Sequence, residues 1–448
     1  MSQYKAYPAY KDSGVEWIGQ VPEHWQVKRL KHLISQCQNG VWGDDPLEDG
    51  SDTLCIRVAD FDRDNNVVIY NPSTYRQITK EHQDSRLVSK GDILLEKSGG
   101  GAQTLVGANV RYLGEEPAVC SNFVAVIKPS KKAESAWLNY LMASMYAFKI
   151  NLRSIKQSTG IQNLDSEQYL DEGVAAPSLD EQATIAAALE RETSRIDALI
   201  EKKTRFIELL KEKRQALITH AVAKGLNPNV KMKDSGIEWI GQVPEEWLNR
   251  KVFHAFQTIG SGTTPPSKEH EWYQGGTIPW ITTSELRENT VVETKKCVTP
   301  DAMQKFSALK IFPAGSLAIA MYGATIGRLG FLGIPATTNQ ACCVLSGERD
   351  LNVQFLYYWL MAFRAEIVAL FSEGGGQPNI NQEVIASLWV PSPDPDEQAT
   401  ISAALDRETA RIDALIGKAE HSITLLKERR AAFITAAVTG QIDLRGEQ

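Results

Sequence analysis

Apolar residues recur at Ile185, Leu189, Ile196, Leu199, Phe206, Leu210 and Leu217, in steps of three, four or seven. That is the 3.5-residue spacing of a coiled-coil helix. The stripe returns at Ile401, Leu405, Ile412, Leu415, Leu426 and Phe433, while Glu192, Lys203 and Lys213 interrupt the first copy. Pro177 and Pro391 precede the two stretches, and Asp180 and Asp396 suit a helix N-cap or first turn. Each stretch then runs without proline for about 40–45 residues, to Gly225 and Gly440, which at ~1.5 Å per residue is roughly 60–70 Å of helix. A helix of this length needs a partner for its apolar stripe, and the other copy is the candidate. The expected pairing residues are Ile185, Leu189, Ile196, Leu199 and Leu210 with Ile401, Leu405, Ile412, Leu415 and Leu426.

Ahead of each helix the pattern changes. Short β-rich runs alternate with Gly and Pro: 53–58, 92–95 and 123–127 in the first half, 278–281, 316–320 and 341–345 in the second. Helical stretches rich in Leu, Met, Tyr and Trp follow at about 134–150 and 351–372. These are mixed α/β heads.

The chain is written twice. Residues 11–25 and 233–247 are identical at thirteen of fifteen positions, and 180–200 and 396–416 at eighteen of twenty-one. Between these boxes only traces match: Gly160 and Asn163 with Gly376 and Asn379, and Asn122 with Asn339 after a one-residue slip. A duplicated frame with divergent filling suits a protein that reads two different targets. Trp17, Trp25, Trp239 and Trp247 repeat, which points to core or inter-domain packing rather than to reading. The fold class is α+β, with segments 11–177 (first head), 178–224 (first helix), 225–232 (linker), 233–391 (second head) and 392–440 (second helix).

Composition narrows the chemistry. With 43% hydrophobic and 23% charged residues over 448 positions, the chain reads as folded, with no apolar run near membrane length and no secretory leader, so the cytosol is the expected compartment. The six cysteines form no C-x-x-C pair and the seven histidines are scattered, so reduced, mostly buried thiols and no metal site are expected. No phosphate loop, no N/D-P-P-Y/F motif and no glycine fingerprint after a strand is found, which argues against an enzyme and against a bound cofactor. The glycine runs 99–101 and 374–376 lack a following Lys-Ser/Thr and read as surface loops or as backbone approaching a ligand closely.

The repeated W-I-G-x-V-P-E-x-W box, the long helix after D-E-Q-x-x-I, and the run from Gly262 through Ile278–Leu286 resemble the specificity subunit of type I restriction–modification enzymes. The segment Gly262-Thr263-Thr264-Pro265 departs by one residue from the family's usual Gly-Thr-Pro. The resemblance covers residues 11 to 440 or so. It implies two target recognition domains in tandem, each reading one half of a split double-stranded DNA site. It also implies that the two helices pair as an antiparallel coiled coil with pseudo-twofold symmetry. Two methyltransferase subunits and motor–nuclease subunits would be the partners, and the chain itself would carry no catalytic residue.

Charge pulls the other way. The net charge is −7, with 18 Lys+Arg against 22 Asp+Glu in residues 11–177 and 12 against 15 in 233–391. Phosphate neutralisation supplies most non-specific DNA affinity, so heads of this composition should hold free DNA weakly and depend on partners for backbone contact. The alternative that the charge favours is a coiled-coil scaffold with two protein-binding heads. Candidate base readers are loop residues with edges suited to the major groove. They are Arg57, Lys97, Ser98, Gln103, Asn122 and Gln162 in the first head, and Thr283, Tyr322, Arg328, Asn339, Gln340 and Gln377 in the second.

Overall fold

The repeated opening box folds by local hydrogen bonding. Asp12 accepts from Gly14 N at 2.8 Å, Ser13 Oγ from Val15 N at 3.0 Å, and Gly14 and Gly19 take the left-handed φ that the turn requires. Asp234, Ser235, Gly236 and Gly241 repeat every feature. A computed structural model describes residues 4–100, 104–158, 160–372 and 378–446. The chain forms two compact units, Met1–Lys203 with His421–Gln448, and Thr204–Glu420.

In the first unit a mixed sheet runs in the order Ile34–Asn39, Val124–Pro129, Ile93–Glu96, Asn109–Arg111, Val67–Val68, Phe61–Asp62. A smaller sheet joins Ala118–Cys120, Thr53–Ile56 and Tyr75–Arg76, its first pair parallel. The second unit repeats the first five strands of that order with Phe256–Gly260, Cys342–Glu348, Leu317–Ala320, Leu329–Leu332 and Asn289–Val291, beside Thr337–Thr338, Ile278–Ile281 and Cys297–Val298, whose first pair is again parallel. Each large sheet packs an apolar helix, Ser135–Ala147 or Val353–Ala362, into its core. Among the described residues no single helix is long and apolar enough to cross a membrane.

The long helices span Leu179–Lys224 and Pro395–Val438. The D-E-Q segment repeats because it docks each helix onto its head. Gln182 donates to Lys132 O and Pro177 O and accepts from Glu134 N; Gln398 donates to Asp350 O and Pro393 O and accepts from Asn352 N. The box tryptophans meet the same segment. Trp25 is buried and donates to Glu181 at 3.2 Å, while buried Trp247 bonds Glu397.

Within each unit two helix segments run antiparallel. In the first, the turn after the second helix reaches Trp25 beside the start of the first, and Arg430 pairs with Asp197 at 3.0 Å. In the second, Gly225 at the end of the first helix lies against Glu397 at the start of the second, and Arg214 pairs with Asp413 at 3.1 Å. The two ion pairs are counterparts under the 216-residue offset.

The seam differs from the expected one in three ways. Leu199 and Leu415 are 47% and 44% exposed and are not buried in a seam. A straight helix drifts ~20° per heptad from a 3.5-residue repeat, and the buried face takes in Ile207, outside the expected stripe. Ile185, Leu189, Ile401 and Leu405 are fully buried, but in clusters shared with a head as well as with the other helix's end. Ile196, Leu210 and Ile412 are buried, and Leu426 is half-buried.

Candidate nucleic-acid interface

Four loop segments meet at one end of each head, at equivalent backbone positions. The first follows an inner strand of the smaller sheet. Arg57 N donates to Asp60 Oδ2 at 2.7 Å around a tight turn; Thr282 N donates to Glu285 Oε2 at 2.9 Å in the second head. The second segment, Lys97-Ser98 or Met321-Tyr322, leaves the central strand. The third is the turn 121–123 or 339–341, and the fourth pairs with the second through Ser98 with Asn163 and Tyr322 with Asn379.

The third segment corrects the sequence register. Ser121 N donates to Ile56 O and Val124 N to Ser121 O; Asn339 N donates to Ile281 O and Cys342 N to Asn339 O. Asn339 is therefore the counterpart of Ser121, and Gln340 that of Asn122. Glycine permits the close crossing over this turn. A Cβ on Gly40 would lie 2.0 Å from Cys120 O, and one on Gly262 1.8 Å from Thr338 O.

Arg57, Lys97, Ser98 and Asn122 thus gather on adjacent segments of the first head, and Thr283, Tyr322, Asn339 and Gln340 on the equivalent segments of the second. Arg57 also faces Asp60 at 3.4 Å, and Lys97 Nζ donates to Asn39 Oδ1 at 2.8 Å. Gln162 is placed differently from the expectation. It is buried, and its Oε1 accepts from Val106 N at 3.2 Å, so it holds the loop together rather than facing outward. Arg328 is half-buried at the far end of the loop that begins at Tyr322. Gln103 and Gln377 lie outside the described residues.

A cleft of about 530 Å³ opens among these segments in the first head. Its floor includes Glu96, buried against Arg63 Nη2 at 2.8 Å. Burial pushes the Glu96 carboxyl up, and the Arg63 guanidinium opposes that shift. The rim carries two residues not singled out in the sequence, Trp42 and Phe123. In the second head a cleft of about 410 Å³ is lined by Thr264, His270, Trp280, Lys295 and Lys296, with Lys296 Nζ 5.7 Å from the Trp280 ring centroid. Thr264 Oγ1 donates to Gln340 Oε1 at 2.5 Å, which ties this cleft to the third segment. Thr264 and Trp280 lie in the run from Gly262 through Leu286 that the sequence singled out. Such sites offer hydrogen-bonding edges, aromatic faces and cations. Among the described residues no cluster of His, Cys, Asp and Glu could hold a metal ion.

The family described as the type I restriction modification DNA specificity domain matches residues 22–209 and again 244–424. The specificity subunit of the type I restriction enzyme MjaVIII from Methanocaldococcus jannaschii is 24% identical over 439 residues, covering 95% of this chain and 94% of that one. The MjaIX specificity subunit of the same organism is 29% identical over 170 residues, covering 37% of this chain and 38% of that protein's length. Among solved structures, a chain from work on complex assembly and conformational transition of the type I R-M system superposes with a TM-score of 0.72. It is 16% identical, covering 96% of this chain and 99% of its own. The HsdS subunit from Thermoanaerobacter tengcongensis gives 0.56 at 17% identity, covering 94% and 98%. Two family matches that together span most of the chain, on a duplicated frame, place this protein in the type I restriction–modification DNA specificity family.

Proposed function

We propose that this chain is a non-catalytic specificity subunit whose two heads each read one half of a split double-stranded DNA site. The observation that carries this is the contrast between frame and surface. Backbone bonds at the four segments repeat, while the outward residues differ: Arg57 against Thr282, Ser98 against Tyr322, Asn122 against Gln340. A surface that contacted one common partner through both heads would repeat its side chains; a pair of readers must not. Two methyltransferase subunits and motor–nuclease subunits, docked on the helices in the cytosol, would supply the chemistry and much of the phosphate contact that heads of net −4 and −3 lack. The heads' acidity favours the second reading, a scaffold with two protein-binding heads. A DNA pull-down with and without the methyltransferase separates the two, because a scaffold retains no DNA in either case.

The decisive experiment is an exchange of residues 26–177 for the matching segment of a relative, followed by motif-resolved methylation mapping. One half-site should change and the other persist. A change in both would show that the heads do not read independently.

A further inference from the structure

The equivalence of the two heads reveals an exchange of aromatic and small residues. In the first head Lys97 N and Ser98 N both donate to Phe123 O, at 2.8 and 3.2 Å. In the second, Met321 N donates to Ala341 O at 2.8 Å. Ser98 and Phe123 thus correspond to Tyr322 and Ala341. Each head shows solvent one ring beside one small residue, but the ring comes from opposite segments. Phe123 is 49% exposed and Tyr322 38%.

The main chain at Phe123 is pinned. Its carbonyl is held by two amides, and the turn before it is closed by Val124 N on Ser121 O at 3.0 Å. The same cleft is walled by Trp42, 38% exposed, with the Arg76 guanidinium carbon 4.7 Å from its ring centroid. Arg57, Ser98 and Asn122 share the rim. Two partly exposed rings therefore stand among side chains that can read base edges. A surface for a protein common to both halves would place the ring on the same segment in both. The one apolar feature of a major-groove base edge is the thymine C5-methyl, and apolar side chains recognise it.

We infer that Phe123, backed by Trp42, selects a thymine in the first half-site by contact with its C5-methyl. This rests on the proposal that the heads read DNA. The test uses the full chain assembled with its methyltransferase subunits, and duplexes in which each thymine of the first half-site is replaced in turn by uracil, which removes only the methyl. At one position uracil should weaken binding roughly three- to tenfold, the range for one buried methyl group. F123A should bind the thymine duplex weaker by a similar factor and no longer distinguish thymine from uracil there, with discrimination in the second half-site unchanged. If F123A does not assemble, F123Q carries the same expectation. A first half-site with no methyl-sensitive thymine, or an F123A or F123Q complex that keeps the wild-type ratio, overturns the inference. Loss of sequence-specific binding by the wild-type complex would instead overturn the reading on which it rests.

Discussion

Cysteine chemistry in this chain is decided by burial. Cys55, Cys120, Cys342 and Cys343 are buried, and Cys37 and Cys297 half-buried, all six free. Burial pushes Cys55 up to about 11 and Cys342 and Cys343 to about 12, and it raises Cys120 as well. The thiolate is the reactive form, and burial raises the Cys37 thiol as well, so at pH 8 an aromatic disulfide reagent should modify the half-buried Cys297 first and the half-buried Cys37 after it. The other four should react only as the chain unfolds in guanidinium. Rapid reaction of all six in the native chain would contradict the packing of the first unit's smaller sheet and of the second unit's large sheet. At this scale the sequence disclosed which residue types could read bases but not how they are used. Gln162 looks like a reader and is a buried brace, because an amide suits both tasks. Phe123 and Trp42 look like core and stand in solvent, because an apolar residue carries no mark of its exposure.

Among the elements, the helices were the most legible and the strands the least. Two stretches of 46 and 44 residues follow from periodicity and duplication, whereas strands of two to six residues in the first head leave no periodic trace long enough to order them into a sheet. The heptad reading erred only where helical drift accumulates. That error has a measurable consequence. Leu210 is buried, so L210D buries an unpaired charge and should cost about 3 kcal/mol or more. Leu199 is 47% exposed, so L199D should cost less than about 1 kcal/mol, mostly from helix propensity. Urea denaturation of the two variants side by side decides between the seams; equal losses would restore Leu199 to the interface. Polar seam positions escaped periodicity altogether. Arg430 is buried and bonds Asp197, and R430A should therefore destabilise the first unit by stranding Asp197 without its partner.

For the whole molecule, repeats in the sequence give the order of segments but not which of them fold together. A consecutive division assigns one head and then one helix to each half, whereas each compact unit takes the start of one helix and the end of the other. The first unit also gathers both ends of the described chain. Lys5 bridges to Asp443, Tyr4 lies 5.0 Å from Phe433, and the Arg445 guanidinium carbon is 4.8 Å from the Tyr7 ring. Ile442 and Leu444 are buried in the cluster that holds Trp25, and Tyr7 Oη donates to Glu181 at 2.8 Å. In the second unit the linker 225–232 makes the corresponding passage as a continuous chain. Removing the residues after Gly440 therefore strips the first unit of two buried aliphatic side chains, each worth about 1.5–3 kcal/mol, and of the contacts to Lys5 and Tyr7. The second unit loses nothing. Hydrogen exchange read peptide by peptide should show protection falling in residues 4–178 and holding in 233–391. Equal loss in both would mean that the two units unfold as one cooperative body; no loss in the first would mean that the end segment does not stabilise the head against which it is packed.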